Sequence, residues 1–231
     1  MIGAVNRGSK PRDVVVSAAG SLPGDLHKLW RTRDPKGYHV EYGYSTMGYE
    51  IAGGLGVKMA SPDREVYVLV GDGSYLMMAQ EIVTAIQEHQ RLIIVVLDNH
   101  GFASIGSLSR SCGSAGFGTE YRHRRDGALD GAALEVDFAA NAASLGACAQ
   151  RVKTLEELEA ALAAARTHPE TSVIVVETDY SANVPNYESW WDVPVAEVSK
   201  MPAVQAARKA YEEARKKERY FFVSGGTREP A

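Results

Sequence analysis

Four short aliphatic runs limit what this chain can become. They lie at residues 14–16, 66–70, 92–97 and 173–176, and none alternates strictly between apolar and polar residues. A strand with one wet face alternates, so continuous runs mark strands covered on both faces, as in a parallel sheet. Residues 147–152 read as a weaker fifth strand and residues 38–42 as a short sixth. Helical patterns fall between the runs, at 22–31, 46–60, 75–89, 138–145 and 154–167. The 46–60 segment carries small residues that allow close backbone approach. Thr154 and Glu157 have capping-box spacing, and Leu155, Leu158 and Leu162 share one face. Strands alternating with helices of this length imply right-handed βαβ units. The expected fold class is α/β, a doubly wound and mostly parallel sheet with helices on both faces.

Charge and composition narrow the function classes. With 25 Lys+Arg against 29 Asp+Glu, the 231-residue chain has a formal charge of −4 and offers no cationic field for nucleic acid. The longest aliphatic run, 92–97, is far short of a bilayer span, and residues 1–10 lack the apolar core of a secretory leader. Cys112 and Cys148 form neither a metal-binding spacing nor a disulfide framework. These features lead us to expect a reduced, cytoplasmic protein with no nucleic-acid or membrane partner. Seven of the 22 glycines fall between Gly101 and Gly131, which reads as a loop or lid that orders on binding. Residues 203–219 read as a charged helix and 223–231 as a frayed tail. The expected division is one α/β domain over 1–202 and a C-terminal helix and tail over 203–231. Trp190 and Trp191 are expected to pack the C-terminal arm against a neighbouring domain.

In an open parallel sheet, ligands bind beyond the carboxyl ends of the strands. The second run is followed there by Gly71-Asp72-Gly73-Ser74, the third by Asp98-Asn99-His100-Gly101, and the first by Ala19-Gly20-Ser21-Leu22-Pro23-Gly24. Glycines beside Asp72 permit a tight turn and close approach of a ligand. Ser74 stands where a helix begins, and free N–H groups there suit a phosphate. Asp72 offers an anionic oxygen, Asn99 a neutral amide oxygen and Gly101 a carbonyl. Few protein oxygens, completed by phosphate oxygens, is what Mg²⁺ prefers. Gly-Asp-Gly alone is an ordinary turn, and Asp-Asn alone an ordinary cap. The pairing is what carries information: each motif ends an apolar strand, and 25 residues separate Gly73 from Asn99.

The stretch from Gly71-Asp72-Gly73-Ser74 to Asn99 resembles the metal–diphosphate signature of thiamine-diphosphate-dependent enzymes. Gly43-Tyr44-Ser45-Thr46-Met47-Gly48-Tyr49-Glu50-Ile51-Ala52-Gly53-Gly54 is similar to the segment that grips the cofactor's aminopyrimidine in that family. Residues 18–27 and 41–45 resemble the branch that hydrolyses the cyclic dione of myo-inositol catabolism. The resemblance spans roughly residues 10–220. It implies thiamine diphosphate and Mg²⁺ as cofactors, with Asp72, Asn99 and the Gly101 carbonyl as metal ligands. It also implies that Gly71, Gly73 and Ser74 meet the diphosphate, lined by Gly20, Ser21 and Leu22. By the same resemblance Met47 bends the cofactor and the Ser45 carbonyl accepts from its amino group. The implied reaction opens a cyclic polyol-dione at a C–C bond and releases a deoxy-glucuronic acid.

Family members also need a Glu from a pyrimidine-binding domain. This chain shows one α/β domain, so that Glu is expected outside it, on the same longer chain or a partner subunit, in a homo-oligomer. Glu41, Glu50 and Glu81 fall inside segments already assigned and are given no catalytic role. His100 reads as a solvated loop residue or a substrate contact. The basic cluster Arg122, His123, Arg124 and Arg125 reads as a solvated turn ahead of an anion contact. An acetolactate-synthase-like or decarboxylase-like module, or a non-catalytic assembly module, shares the same cofactor motifs. A nicotinamide-binding protein does not fit, because Gly-x-Gly-x-x-Gly is missing after the first strand.

Overall fold

The computed structural model describes residues 1–179, 184–185 and 192–218. The expected packing role of Trp190 and Trp191 and the expected tail at 223–231 lie outside the described residues. Six strands form one sheet: β1 (Val14–Ser17), β2 (Tyr38–Val40), β3 (Val66–Gly71), β4 (Ile93–Asp98), β5 (Cys148–Val152) and β6 (Ser172–Glu177). Their spatial order is β2-β1-β3-β4-β6-β5, and every pairing is parallel. The six strands expected from the aliphatic runs are the six observed, with β2 trimmed to three residues.

The continuous runs are buried on both faces. On one face Val14, Val16, Val66, Val68, Val70, Ile94, Val96, Val173 and Val175 form a core. Against it pack α3 (Tyr49–Ala60), α4 (Asp72–Met78), α5 (Glu81–Gln87) and α7 (Phe138–Ser144), through residues such as Ile51, Tyr75, Ile82 and Phe138. On the other face Val15, Tyr67, Leu69, Ile93, Val95 and Ile174 meet α1 (Ile2–Gly8), α2 (Leu22–Leu29) and α8 (Leu155–Ala165). Each fully buried aliphatic side chain contributes roughly 1.5–3 kcal/mol over an exposed one, so the two-sided burial of the central strands dominates stability. The small residues of α3 act as read: a Cβ on Gly54 would stand 2.4 Å from Val68 Cγ2, so the helix rests directly on β3.

Several elements differ from expectation. The helix expected at 75–89 starts at Asp72 and divides into α4 and α5. Around Ala79 and Gln80 the backbone stays helical, but the hydrogen bonds tighten to i→i+3, from Ile82 N–H to Ala79 and from Val83 N–H to Gln80. The helix expected from 46 starts at Tyr49, because Gly48 takes φ +92° as its cap. The glycine-rich segment is not loop throughout: Ala103–Ser111 is a helix, α6, and the remainder is held by bridges such as Gly101 to Glu120 and Arg122 to Ala133. The capping box of α8 is present as expected. The C-terminal helix is α9 (Pro202–Arg215), and its Val204 and Tyr211 cluster with Val195 and Cys112.

Candidate cofactor site

The strand order sets the position of the site. From β1 the chain moves outward to β2, then returns to lay β3 on the other side of β1. The helix leaving β1, α2, packs on one face, and α3, which leads into β3, packs on the other. Where neighbouring connections diverge in this way, a crevice opens beyond the carboxyl ends of the strands. The segments after β1, β3 and β4 meet there.

Asp72 is the centre of the first group. It is fully buried, and its Oδ2 accepts from the Gly101 N–H at 2.8 Å. Burial pushes its carboxyl up to about 6, with the nearby Asp98 charge adding to the shift and hydrogen bonds from Gly101, Gly73 and Asn99 opposing it. In its satisfied orientation the Asn99 amide nitrogen donates to Asp72 Oδ1 at 3.2 Å and to the Gly101 carbonyl at 3.0 Å. Turning that amide over brings three oxygens together: carboxylate, amide and carbonyl. Such a set is the hard-donor chemistry a Mg²⁺ ion takes from protein, so the residues fit the ion. Gly101 reaches this geometry at φ +150°, where a Cβ would stand 2.4 Å from the Thr119 carbonyl oxygen. Gly73 lies under the Phe102 ring.

Glu50 is the centre of the second group. Its side chain is buried, with Oε2 accepting from the Ser74 hydroxyl at 2.7 Å and the Gly48 N–H at 3.1 Å. Oε1 accepts from the Ala19 N–H at 3.3 Å. The Ser74 oxygen in turn accepts from the Gly48 N–H at 2.7 Å. Burial raises the Glu50 carboxyl above the ordinary range, and these hydrogen bonds work against that rise.

The remaining expected residues surround these two groups. Gly20 has φ +86° with open space beside it, Ser21 is an exposed cap of α2, and Leu22 turns its side chain into the core. Leu22 therefore offers a ligand only backbone. Gly71 is the cap of α4. Ser45, exposed at φ +51°, and half-buried Met47 lie on the loop between β2 and α3. Glu41 shapes that loop: its carboxylate accepts from the Tyr44 N–H at 3.0 Å and the Thr46 N–H at 2.6 Å, bonds that hold its pKa low.

Beside the Asp72 group, buried Asp98 pairs with Arg151 at 3.0 Å. His100, at φ +63°, stands between Asp98 (3.4 Å) and Glu177 (3.3 Å) with its side chain half exposed. Two arginines of the basic cluster are paired locally, Arg122 with Glu120 at 2.6 Å and Arg125 with Asp130 at 3.3 Å, while Arg124 donates to the Gly127 carbonyl. Among the described residues no group of three or more His, Cys, Asp or Glu could hold a metal. No described helix is long and apolar enough to cross a membrane.

Sequence reasoning missed Glu50, Arg151 and Tyr121. For Glu50 a signal existed: Gly53 and Gly54 lie three and four residues on, so an acid shares the helix face that rests on the sheet. Arg151 sits on the weakest strand, and nothing local pairs it with Asp98. Tyr121 packs edge-on to Phe102 at 5.9 Å, and its buried hydroxyl has no hydrogen-bond partner among the described residues. No pattern in the sequence marks it.

The family described as thiamine pyrophosphate enzyme, C-terminal TPP binding domain, matches residues 18–176. Over 209 residues the chain is 46% identical to 3D-(3,5/4)-trihydroxycyclohexane-1,2-dione hydrolases from Bacillus cereus (strain AH820) and Bacillus thuringiensis (strain Al Hakam). Those matches cover 90% of this chain and 32% of each relative, so the chain spans about a third of their length. Among solved structures, benzoylformate decarboxylase from Polynucleobacter necessarius is similar with a TM-score of 0.65 at 23% identity, over 78% of this chain and 32% of that one. The thiamine diphosphate-dependent 4-hydroxybenzoylformate decarboxylase of Rhodococcus jostii RHA1 gives a TM-score of 0.63 at 20% identity, over 77% of this chain and 32% of that one. These two likenesses concern the fold.

Proposed function

Since the chain belongs to the family of C-terminal TPP-binding domains of thiamine pyrophosphate enzymes, we propose that it supplies the diphosphate- and Mg²⁺-binding half of a dione-hydrolase active site. The substrate of that site is 3D-(3,5/4)-trihydroxycyclohexane-1,2-dione, opened by hydrolytic C–C cleavage to 5-deoxy-glucuronate in myo-inositol degradation. The observation that carries the cofactor reading is the convergence of Asp72, Asn99 and Gly101 at the divergence of β1 and β3. The substrate rests on the 46% identity to hydrolases of that name.

In this reading Asp72, Asn99 and the Gly101 carbonyl hold Mg²⁺. The backbone of Gly71, Gly73 and Ser74 meets the diphosphate from one side, and that of Gly20, Ser21 and Leu22 from the other. Ser74 uses its N–H there, because its hydroxyl is committed to Glu50. Met47 supports the bend of the cofactor, and the Ser45 carbonyl accepts from its amino group. Bound there, thiamine diphosphate supplies a nucleophilic carbon and an electron sink for breaking a bond next to a ketone. The activating Glu comes from a pyrimidine-binding domain on the same longer chain or on a partner subunit of a homo-oligomer. Glu41 and Glu50 fit that division, since each spends its carboxylate on neighbours within this chain.

Calorimetry with thiamine diphosphate, with and without Mg²⁺, tests the cofactor half. Metal-dependent binding that is lost in Asp72→Ala is expected. No metal-dependent binding, even with a pyrimidine-binding domain supplied, overturns it. For the substrate half, the chain assembled with the rest of its enzyme should turn over the trihydroxy-dione in preference to pyruvate or benzoylformate. The reverse preference overturns that assignment.

A further inference from the structure

Three segments that wall the crevice come from distant parts of the sequence: the turn after β1, the loop before α3 and the first turn of α4. One side chain touches all three. Glu50 takes the Ala19 N–H on one oxygen, and the Gly48 N–H and Ser74 O–H on the other. Glu50 is 1% exposed, and an acid is almost never buried to that degree unless its partners compensate. Glu50 sits in the first turn of α3, where the helix dipole favours an anion. A carboxylate is the side chain that suits this place, because two acceptor oxygens meet three donors and none of the three has to turn away. The bond it takes from Ser74 also points that hydroxyl away from a ligand and fixes the first turn of α4.

We propose that Glu50 is a positioning residue for the cofactor: a buried carboxylate that clamps the turn at Ala19, the loop at Gly48 and the helix start at Ser74 into one preformed diphosphate wall. The proposal rests on the cofactor reading given above. Its consequence is that affinity for thiamine diphosphate depends on a residue that does not itself touch the cofactor.

Glu50→Gln tests this. Gln keeps the size but replaces one acceptor oxygen with a donor, so whichever way the amide turns, Ala19 or the Gly48–Ser74 pair faces N–H. Expected is an affinity for thiamine diphosphate with Mg²⁺ about tenfold weaker by calorimetry, equivalent to the loss of one well-placed hydrogen bond to a charged group. Hydrogen exchange without ligand should be faster at Ala19 and Gly48, while the β3 amides of Val68 and Val70 stay protected. A merely structural role would instead loosen β3 as well and leave affinity below the melting range unchanged.

Ser74→Ala is the second variant, for the case in which Glu50→Gln does not fold. It removes one of the clamped groups and should give a similar loss of affinity with faster exchange at Gly48. Wild-type binding with unchanged affinity in a folded Glu50→Gln, or in Ser74→Ala if the first variant does not fold, overturns the proposal alone. A wild-type chain that binds no thiamine diphosphate with Mg²⁺, even with a pyrimidine-binding domain supplied, overturns the cofactor reading and the proposal with it.

Discussion

The Gly101 N–H donates to Asp72 Oδ2 at 2.8 Å and so ties the end of β3 to the turn after β4. That bond leaves Asp72 Oδ1 for the Asn99 amide, which also reaches the Gly101 carbonyl. One carboxylate thus organises both of its expected co-ligands. Its burial is a cost the ligand-free fold carries for that arrangement.

The cost predicts a pH-dependent gain from Asp72→Asn. The folded carboxyl titrates at about 6 against an ordinary 3.8, so the folded chain holds the proton more tightly than the unfolded one. Stability from this group is complete below about pH 4 and falls as pH rises to about 6. Above that the charged form costs the ligand-free fold up to about 3 kcal/mol. Asp72→Asn should therefore melt higher than wild type at pH 7.5, with the difference closing by pH 4, and should lose Mg²⁺-dependent cofactor binding. Thermal melts at three pH values check the sign, and a difference that does not change with pH counts against it.

Two glycines of α3 should respond in opposite directions. A Cβ at Gly54 would stand 2.4 Å from Val68 Cγ2, whereas a Cβ at Gly56 would meet nothing within 4 Å. Gly54→Ala should cost about 1–3 kcal/mol by forcing the helix off the sheet. Gly56→Ala should add about 0.4–1 kcal/mol by restricting the unfolded chain. Urea melts of both variants decide it, and equal effects would contradict the direct seating of α3 on β3.

The sheet was legible because its strands are buried on both faces, which leaves uninterrupted aliphatic runs such as residues 66–70. The convergence of Asp72, Asn99 and Gly101 was legible because each lies within four residues of the end of such a run, and strand ends fix where ligands bind. Glu50 was legible only as an acid on the helix face marked by Gly53 and Gly54; its meaning depends on Ala19 and Ser74, which are 31 and 24 residues away and reach it only through the crossover of the sheet. Helix α6 was hidden by Gly106, whose lack of a side chain lets Thr119 pack against the helix and leaves room for the guanidinium of Arg110, one turn on. Glycine there serves close approach, and from composition alone it reads as loop. The break between α4 and α5 falls at Ala79 and Gln80, both good helix formers, so propensity gave no warning.

Arg151 is the partner on which Asp98 depends. The Asp98 side chain is 3% exposed, and Arg151 Nη1 lies 3.0 Å from it. Arg151→Leu leaves a buried carboxylate without its arginine and beside the Asp72 acid, and should cost about 3–5 kcal/mol. Adding Asp98→Asn to that variant should recover much of the loss, because the uncompensated charge is gone. A double variant no more stable than Arg151→Leu by chemical denaturation would show that the charge is not the source of the cost.

By contrast, Arg125→Ala should be nearly silent. Its pairing with Asp130 is 3.3 Å long, and both side chains are more than half exposed. Solvent screening limits such a pair to about 1 kcal/mol or less. Melting temperature and thiamine diphosphate affinity should both stay at wild-type values. A clear loss of affinity would instead make this turn part of an anion site.

Tyr121→Phe separates a stability defect from a binding contact. The buried hydroxyl has no hydrogen-bond partner among the described residues, and burial together with the Asp72 and Asp98 carboxylates pushes its pKa upward. A buried polar group left unsatisfied costs about 1–3 kcal/mol, and Phe removes it while keeping the edge-on contact with Phe102. The ligand-free variant should therefore be more stable than wild type by about 1 kcal/mol or more in a urea melt. Calorimetry with thiamine diphosphate and Mg²⁺ should give wild-type affinity, since the hydroxyl belongs to neither of the two hydrogen-bonded groups that form the crevice. A stabilised variant with weakened binding would mark the hydroxyl as a ligand contact, and a destabilised one would mean that it has a partner in solution.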